Sequence, residues 1–151
     1  RWLGARNHVP SFESLLDKGL VVDTIEVATT WDRIDDLYAG VIAALQTVPG
    51  ILVASAHSSH SYAQGTNLYF TFAARPARRE DMEATYLACW EKTMEATLAC
   101  GGTIAHHHGV GRVRLPWMAR ELGSSRTVLD RLKQALDPQG VLNPGVLLPP
   151  S

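Results

Sequence analysis

Two kinds of hydrophobic periodicity alternate along this chain, and they restrict its fold more than any other feature. Residues 20–29, LVVDTIEVAT, are rich in β-branched side chains and partly alternate between apolar and polar, which predicts a strand. The next segment carries apolar side chains at the spacing of an amphipathic helix, namely Ile34, Leu37, Tyr38, Val41, Ile42 and Leu45. A strand that leads directly into a helix predicts a mixed α and β fold.

The remaining elements extend this beginning into a recognisable order. The same criteria predict three more strands, over residues 51–57, 68–73 and 103–107, and a long helix over residues 80–100 that Gly101 and Gly102 end. The resulting order is β-α-β-β-α-β, the plan of a ferredoxin-like domain, in which both helices cover one face of the sheet. We therefore predict an α+β fold with a ferredoxin-like βαββαβ domain.

Alternation along the third strand separates one aromatic side chain from the others. Leu68, Phe70 and Phe72 share one face of the strand, and this apolar set suits the helix-covered side of the sheet. Tyr69 then points to the other face, which stays bare unless something else covers it. An uncovered face that carries a tyrosine is a place to expect chemistry or a partner domain.

The C-terminal part of the chain has a different character. LPWMARELG and SSRTVLDRLKQAL predict two helices, with Ser124 or Ser125 as the cap of the second and Pro138 as its end. The final segment, DPQGVLNPGVLLPPS, is turn-rich and too apolar for a free terminus, so we expect it to pack on a surface outside this chain. We divide the chain into a domain of residues 1–114 and a helical C-terminal extension of residues 115–151.

Three consecutive histidines, His106–His108, follow the fourth predicted strand in the segment GGTIAHHHGVGR. On a strand, His106 and His108 would share one face and His107 would take the other. The triplet allows three interpretations: a metal site, a polar loop whose histidines bind their neighbours, or an acid–base cluster. Imidazole accepts and donates protons near pH 7, and several rings together can relay a proton.

The metal interpretation has the weakest support in the sequence. A zinc site needs three or four converging ligands, often with Cys or a carboxylate among them. No Cys, Asp or Glu lies between Cys100 and Arg120, so such a site would have to borrow His57 and His60. We therefore predict no metal.

The residues around the triplet supply further candidates for binding. Gly109 and Gly111 let a backbone approach a ligand closely, and the arginines at positions 112 and 114 offer fixed positive charge for a phosphate or carboxylate, although two exposed arginines are an equally simple interpretation. Tyr62 and Tyr69 are the aromatic candidates, since nearby positive charge lowers the pKa of a phenol.

Composition excludes several other classes of protein. The 151 residues suffice for one domain, and the net charge of −1 gives no basic surface for nucleic acid. No apolar run reaches the length of a membrane span, and the N-terminus lacks the features of a signal peptide. Two cysteines form no disulfide framework, so we expect a cytoplasmic location, with peripheral membrane attachment as the alternative. The chain does not begin with Met, which predicts that it is part of a longer protein.

Two segments together resemble a known family. HHHGVGRVRLPWM followed by LKQALDPQGVLNPGVL looks like the C-terminal part of FAD-linked oxidases of the vanillyl-alcohol-oxidase superfamily. Within that superfamily the chain most resembles the alkyldihydroxyacetonephosphate synthases (alkylglycerone-phosphate synthases) and their bacterial relatives. VDTIEVATTWDRIDDLY and HSYAQGTNLYFTF also resemble the cap region of this family, and the resemblance covers nearly the whole chain.

The resemblance implies a role for each matching position. It implies FAD as the cofactor, held mainly by an N-terminal domain of the same protein that lies outside this chain. The catalytic residues implied are Tyr69, which matches a tyrosine that moves the substrate C1 proton, and His106, His107 and His108 beside the flavin. Gly109, Gly111 and Asn143 are the implied contacts to the cofactor, and Arg112, Tyr62 and Arg6 the implied contacts to the substrate, although Phe12 is an alternative for the position of Arg6.

The implied reaction replaces the acyl group of acyl-dihydroxyacetone phosphate by an alkyl group without net redox change, as in ether-lipid synthesis. Two alternatives stay open: an FAD-dependent oxidoreductase that acts on a small hydroxy acid or alcohol, and a non-catalytic ferredoxin-like module that binds a ligand. The isolated chain is expected to be inactive. The resemblance also allows a homodimer.

Overall fold

The computed structural model describes residues 12–148, and its centre is a three-stranded antiparallel sheet. Strand β1 is Val21–Thr30, β2 is Ile51–His57 and β3 is Gly65–Ala74. The strands lie in the order β1-β3-β2, so the third strand is the central one. Together with the helices, this sheet confirms the predicted α+β class.

Residues 12–148 contain five α-helices beside the sheet. Their bounds are Glu13–Asp17 for α1, Ile34–Gln46 for α2, Met82–Ala99 for α3, Met118–Leu122 for α4 and Ser125–Leu136 for α5. Short 3-10 turns lead into α2, α3 and α4. Helix α3 ends as predicted, because Gly101 has a φ of 69°, a left-handed conformation that favours glycine, and the next amide, of Gly102, donates to the carbonyl of Thr97 at 2.9 Å.

The hydrophobic core lies between one face of the sheet and the helices α2 and α3. Phe70 is paired with Ile25 in the register of β3 and β1, and both side chains are fully buried. The core cluster also contains buried side chains of both helices, among them Leu37, Val41 and Leu45 from α2 and Cys89 and Met94 from α3. Each such side chain stabilises the fold by about 1.5–3 kcal/mol through burial. The predicted helix-covered face of the third strand is therefore confirmed.

The second face of the sheet carries polar side chains in register. Glu26 on β1 is paired with Tyr69 on β3, and Tyr69 is paired on its other side with His57 on β2. Because side chains of directly paired residues point to the same face, these three form one row across the sheet. Tyr69 is half-buried and His57 is exposed, so neither helix covers this row.

The predicted fourth strand, over residues 103–107, is not a strand in the structure. Only an isolated antiparallel bridge joins Thr103 to Ala28 at the free edge of β1, with N···O distances of 2.8 and 3.0 Å. Beyond this bridge, backbone amides that would pair with β1 in a strand donate to side-chain carboxylates instead. The amide of Ile104 donates to Glu121 at 3.4 Å, and the amide of His106 donates to Glu26 at 3.1 Å. These acceptors turn the chain away from β1 and over the polar face.

The C-terminal extension forms the two predicted helices, but its details differ from the prediction. Ser124 precedes α5 without a side-chain cap hydrogen bond, so the predicted serine cap is wrong. After α5, the carboxylate of Asp137 accepts from the backbone amides of Val141 and Leu142 at 3.0 and 2.9 Å and pairs with Lys133. This carboxylate holds the turn that follows the helix.

One side of α5 is apolar and unprotected. Val128, Leu132 and Leu136 recur every four residues and are 59%, 51% and 79% exposed. No residue of α5 is buried by the part of the chain that the structure describes. Among residues 12–148, no helix has both the length and the apolarity to cross a membrane.

Candidate functional site

A tyrosine and a histidine meet on the uncovered face of the sheet. The hydroxyl oxygen of Tyr69 lies 2.7 Å from Nε2 of His107, which is hydrogen-bond distance. Tyr69 is fixed by the central strand, and His107 is carried by the loop that follows the Ala28–Thr103 bridge. The structure thus joins the tyrosine and the histidine triplet, which the sequence had singled out separately.

Four further imidazoles surround this contact. His57 stacks on the ring of Tyr69 with centroids 5.1 Å apart and planes inclined by 9°. His108 presents an edge contact to the same ring at 5.3 Å, and His60 lies 4.9 Å from the ring of His107. Nδ1 of His106 lies 2.9 Å from Nδ1 of His107. The cluster therefore offers several ring nitrogens that can donate or accept hydrogen bonds beside Tyr69.

A strand would place His106 and His108 on one face and His107 on the other. The structure does not show this division. His107 and His108 both contact the ring of Tyr69, at centroid distances of 5.8 and 5.3 Å. The physical reason is the loss of the fourth strand: without a pleat, consecutive side chains are free to converge. The parity expected for His106, His107 and His108 is therefore wrong, and two of the three rings contact Tyr69 instead of lying on opposite faces.

A buried carboxylate lies beneath the imidazoles. Glu26 is fully buried, and its Oε2 accepts the backbone N–H of His106. Its Oε1 lies 3.1 Å from Nδ1 of His106 and 3.2 Å from Nδ1 of His107. No ring N–H is aligned on Oε1 in the arrangement seen, so the two contacts are ion-pair distances without a formed hydrogen bond.

The charge of Glu26 is compensated although the group is buried. Burial acts to raise the pKa of this carboxyl, but the backbone N–H of His106 and the positive charge available at His107 outweigh burial. The pKa of Glu26 consequently lies below its usual value. The site therefore contains a fixed negative charge directly under two imidazole rings.

A buried arginine holds the histidine loop in place. Nη1 of Arg114 donates to the carbonyl of Gly109 at 2.9 Å, and Nη2 donates to the backbone carbonyl of Glu26 at 3.0 Å. The guanidinium also lies over the ring of Trp90, 5.0 Å from its centroid. Arg114 is only 6% exposed, so it acts as a structural tie and not as a free cation for a phosphate.

The glycines of the loop have a conformational role in this structure. Gly109 and Gly111 have φ angles of 76° and 58°, which lie in the left-handed region that favours glycine. Nothing lies within 4 Å of a Cβ built on either residue. The left-handed backbone conformation is enough to explain why these two positions are glycine. Their contact with a cofactor stays a prediction.

The structure brings some of the other candidates to the site and leaves others apart. The ring of Tyr62 contacts that of His106 edge-on at 5.2 Å, so Tyr62 borders the site. Arg112 makes its contacts in another place: it lines a groove with Glu95, and its Nη2 lies 3.5 Å from the carbonyl oxygen of Pro144. Arg6 lies outside the described residues.

The turn after α5 contains the last candidate. Asn143 has a φ of 45° and lines a groove beside that helix, among residues of the C-terminal extension. Nothing in that groove belongs to the histidine cluster, and the role of Asn143 toward a cofactor stays a prediction.

Glu26 is the site residue that the sequence analysis missed. Its signal was present, because a glutamate in the middle of the apolar strand segment TIEVA must point either into the core or into a polar site. Alternation placed it opposite Ile25 and Val27, on the face later found to carry Tyr69. What the sequence did not reveal was the pairing of β1 with β3, which brings the carboxylate under the histidines.

Glu26 also changes the question of metal binding. Ligand atoms of Glu26, His106 and His107 all lie within 4.8 Å of one another, a grouping that could hold a metal ion. The search of the sequence had covered carboxylates near the triplet and not those on β1. That no metal binds stays a prediction.

Comparisons with known proteins agree on one family. Residues 1–147 match the family described as FAD linked oxidases, C-terminal domain. A protein of Escherichia coli O157:H7, described as an uncharacterized FAD-linked oxidoreductase YgcU, is 33% identical over 142 residues, which are 89% of this chain and 29% of that protein.

Alkyldihydroxyacetonephosphate synthases are similar in both sequence and structure. The enzyme of Dictyostelium discoideum is 31% identical over 156 residues, which cover 98% of this chain and 25% of the enzyme. A solved alkyldihydroxyacetonephosphate synthase structure superposes with a TM-score of 0.59 and 25% identity over 95% of this chain and 24% of its own. The chain thus spans between 24% and 29% of the length of these relatives. It belongs to the family of FAD linked oxidases, C-terminal domain.

Proposed function

We propose that this chain is the substrate-side part of an FAD-dependent enzyme that resembles alkylglycerone-phosphate synthase, which exchanges the acyl group of acyl-dihydroxyacetone phosphate for an alkyl group. The observation that carries the proposal is the 2.7 Å contact between the Tyr69 hydroxyl and Nε2 of His107 on an uncovered sheet face. A half-buried phenol on an uncovered face, paired with an imidazole, can move a proton to or from a substrate carbon. The similarity to alkyldihydroxyacetonephosphate synthases in sequence and in structure supports the choice of reaction.

The chain's own residues would divide the proton chemistry. FAD, when bound, supplies a ring able to exchange an electron pair with the substrate. Tyr69 passes its hydroxyl proton to Nε2 of His107, and its oxygen then takes the proton from C1 of the substrate. His108, against the ring of Tyr69, keeps the phenol oriented. The same proton returns from Tyr69 to C1 when the alcohol has replaced the acid, and His107 then gives its proton back to the Tyr69 oxygen. The hydroxyl proton of the alcohol leaves with the displaced carboxylate, so the exchange transfers no net electron.

A groove next to the histidines fits the apolar part of such a substrate. It has a volume of about 340 Å³, and its lining includes Ala28, Gly65 and the ring of Tyr62. Because Tyr62 also contacts His106, the groove and the histidine cluster share a border at that tyrosine.

The exposed surfaces support a partner domain of the same protein. Three apolar side chains of α5 project from the chain without cover, and the polar sheet face is open as well. We propose that an N-terminal FAD-binding domain covers both. In this proposal residues 1–114 form a ferredoxin-like cap, in which the Ala28–Thr103 bridge occupies the position of the fourth strand. Residues 115–151 pack on the FAD-binding domain.

A second candidate function is an FAD-dependent oxidoreductase that acts on a small hydroxy acid or alcohol. The observation in its favour is the 33% identity to a protein described as an FAD-linked oxidoreductase. The same pair of residues would serve it, since oxidation of an alcohol also requires removal of a proton.

One experiment separates the two candidates. The full-length protein is mixed without oxygen with palmitoyl-dihydroxyacetone phosphate and labelled hexadecanol, while the visible absorption of the flavin is followed. The proposal predicts labelled ether product while the flavin stays oxidised. Bleaching of the flavin by glycolate, D-lactate or a simple alcohol, without ether product, would establish the oxidoreductase instead. A full-length protein that binds no flavin would leave only a ligand-binding module.

A further inference from the structure

The position of Glu26 beneath two imidazoles has a consequence for their protons. A carboxylate oxygen only accepts hydrogen bonds, and Oε1 of Glu26 faces Nδ1 of His106 and Nδ1 of His107 at 3.1 and 3.2 Å. Its side chain is fully buried, so water does not compensate its charge. No ring N–H is aligned on Oε1, but at these distances the anion repels a lone pair on either nitrogen and attracts a proton there.

The other side of the His107 ring is committed to Tyr69. Nε2 of His107 lies 2.7 Å from the tyrosine hydroxyl. A neutral imidazole carries one proton, so a proton on Nδ1 leaves Nε2 as an acceptor. The hydroxyl of Tyr69 then donates to Nε2. If the proton were on Nε2 instead, the hydroxyl would be the acceptor and could not pass its proton to His107.

We propose that Glu26 is a positioning residue, which holds His107 in the tautomer with its proton on Nδ1 and thereby makes Nε2 the acceptor for the Tyr69 hydroxyl proton. This inference rests on the proposed function. When the proton moves, the O–H bond of Tyr69 breaks, an N–H bond forms at Nε2, and the resulting imidazolium lies beside the buried carboxylate. The carboxylate stabilises that imidazolium, as the aspartate does in a Ser-His-Asp triad.

A double-mutant cycle in the full-length protein tests the proposal. Four proteins are compared: wild type, Glu26→Gln, Tyr69→Phe and the double variant. We expect Glu26→Gln to lower kcat by about 10- to 100-fold, the range for partners that fix an imidazole tautomer, while KM and flavin content stay within about twofold. In the double variant we expect no loss beyond that of Tyr69→Phe alone, because Glu26 acts only through that hydroxyl.

Asp23→Asn is the matched control. Asp23 lies on the same strand but on the helix-covered face, where Tyr86 and Trp90 donate to its carboxylate at 2.8 and 3.1 Å. Its loss weakens packing without touching the Tyr69–His107 pair, so its effect on kcat should add to that of Tyr69→Phe. Should Glu26→Gln fail to fold, Glu26→Asp takes its place in the same cycle, since it keeps the charge and moves it away from the rings.

Several results would overturn the proposed role of Glu26. The proposal would be overturned if the fall in log kcat of the double variant equalled the sum of the falls in the Glu26→Gln and Tyr69→Phe single variants. A stoichiometric metal ion in the purified protein that is lost in Glu26→Gln would also overturn it, because the carboxylate would then be a ligand. If Tyr69→Phe alone leaves turnover unchanged, the proposed function fails and not merely the role of Glu26. If only Glu26→Gln leaves it unchanged, the inference fails and the proposed function stands.

Discussion

The hydroxyl of Tyr69 and Nε2 of His107 are 2.7 Å apart although 38 positions separate them in the chain. Tyr69 is held by the central strand of the sheet, and His107 by a loop that two carboxylates and one arginine hold in place. The contact therefore depends on the fold of the whole domain. It explains why the tyrosine faces away from the aromatic core that its neighbours on β3 form.

The buried Glu26 predicts a specific dependence of stability on pH. Because its pKa is lowered in the folded protein, the folded state binds fewer protons at this carboxyl than the unfolded state. The stabilisation is complete above the unfolded carboxyl pKa of about 4.3 and is lost as pH falls through the lower folded value. The titratable and charged groups that face the carboxylate are His106, His107 and Arg114.

The measurement is the free energy of unfolding of wild type and Glu26→Gln across this range. We expect the wild type to lose stability more steeply than Glu26→Gln below pH of about 5, because only the wild type has this carboxyl to protonate. Parallel curves for the two proteins would show that Glu26 does not have a lowered pKa.

Arg114 predicts a strong effect of a substitution that keeps its charge. Arg114→Lys cannot reach the carbonyls of Gly109 and Glu26 together, since lysine lacks the planar fork of the guanidinium. We expect a loss of about 1.5–3 kcal/mol in the free energy of unfolding, the range for hydrogen bonds to charged groups. Arg112→Lys is the matched control, because Arg112 is exposed, and it should change stability by less than about 0.5 kcal/mol. Equal effects of the two variants would contradict the structural role of Arg114.

The apolar side of α5 predicts where a second domain packs. Leu132→Glu should leave the isolated chain unchanged within about 0.5 kcal/mol, because Leu132 is 51% exposed there. In the full-length protein the same change should cost about 1.5–3 kcal/mol and promote loss of FAD, since a charge replaces a buried leucine. Gln134→Glu on the polar side of α5 is the control. A full-length Leu132→Glu protein as stable as the control would place the contact elsewhere.

The sequence predicted those parts of the fold that depend on local periodicity. Alternation along LYFTF assigned Phe70 and Tyr69 to opposite faces, and the structure agrees, because burial of one face fixes the register of a strand. The sequence could not predict that the fourth strand is absent. There the carboxylates of Glu26 and Glu121 accept hydrogen bonds from the backbone amides of residues 106 and 104. That competition depends on contacts between residues far apart in the chain.

The same limit applied to the candidate site. Tyr69 stood out because alternation along its strand separates it from the apolar side chains on either side. The triplet stood out because three consecutive histidines are an unusual composition. Arg114 looked like a free cation, and only its burial over Trp90 shows that it is a tie. Glu26 required knowledge of which strands are neighbours, which short-range patterns do not contain.

Turnover of the Tyr69→Phe variant tests the central claim most directly, because only one hydroxyl is removed from the full-length protein. The account predicts that kcat falls by about 100-fold or more, the usual contribution of a general acid or base, with FAD content and melting temperature unchanged. Thr71→Val, on the same face of β3 two residues away, should leave turnover close to that of the wild type. Unchanged kcat in Tyr69→Phe would contradict the account and reduce the Tyr69–His107 contact to packing.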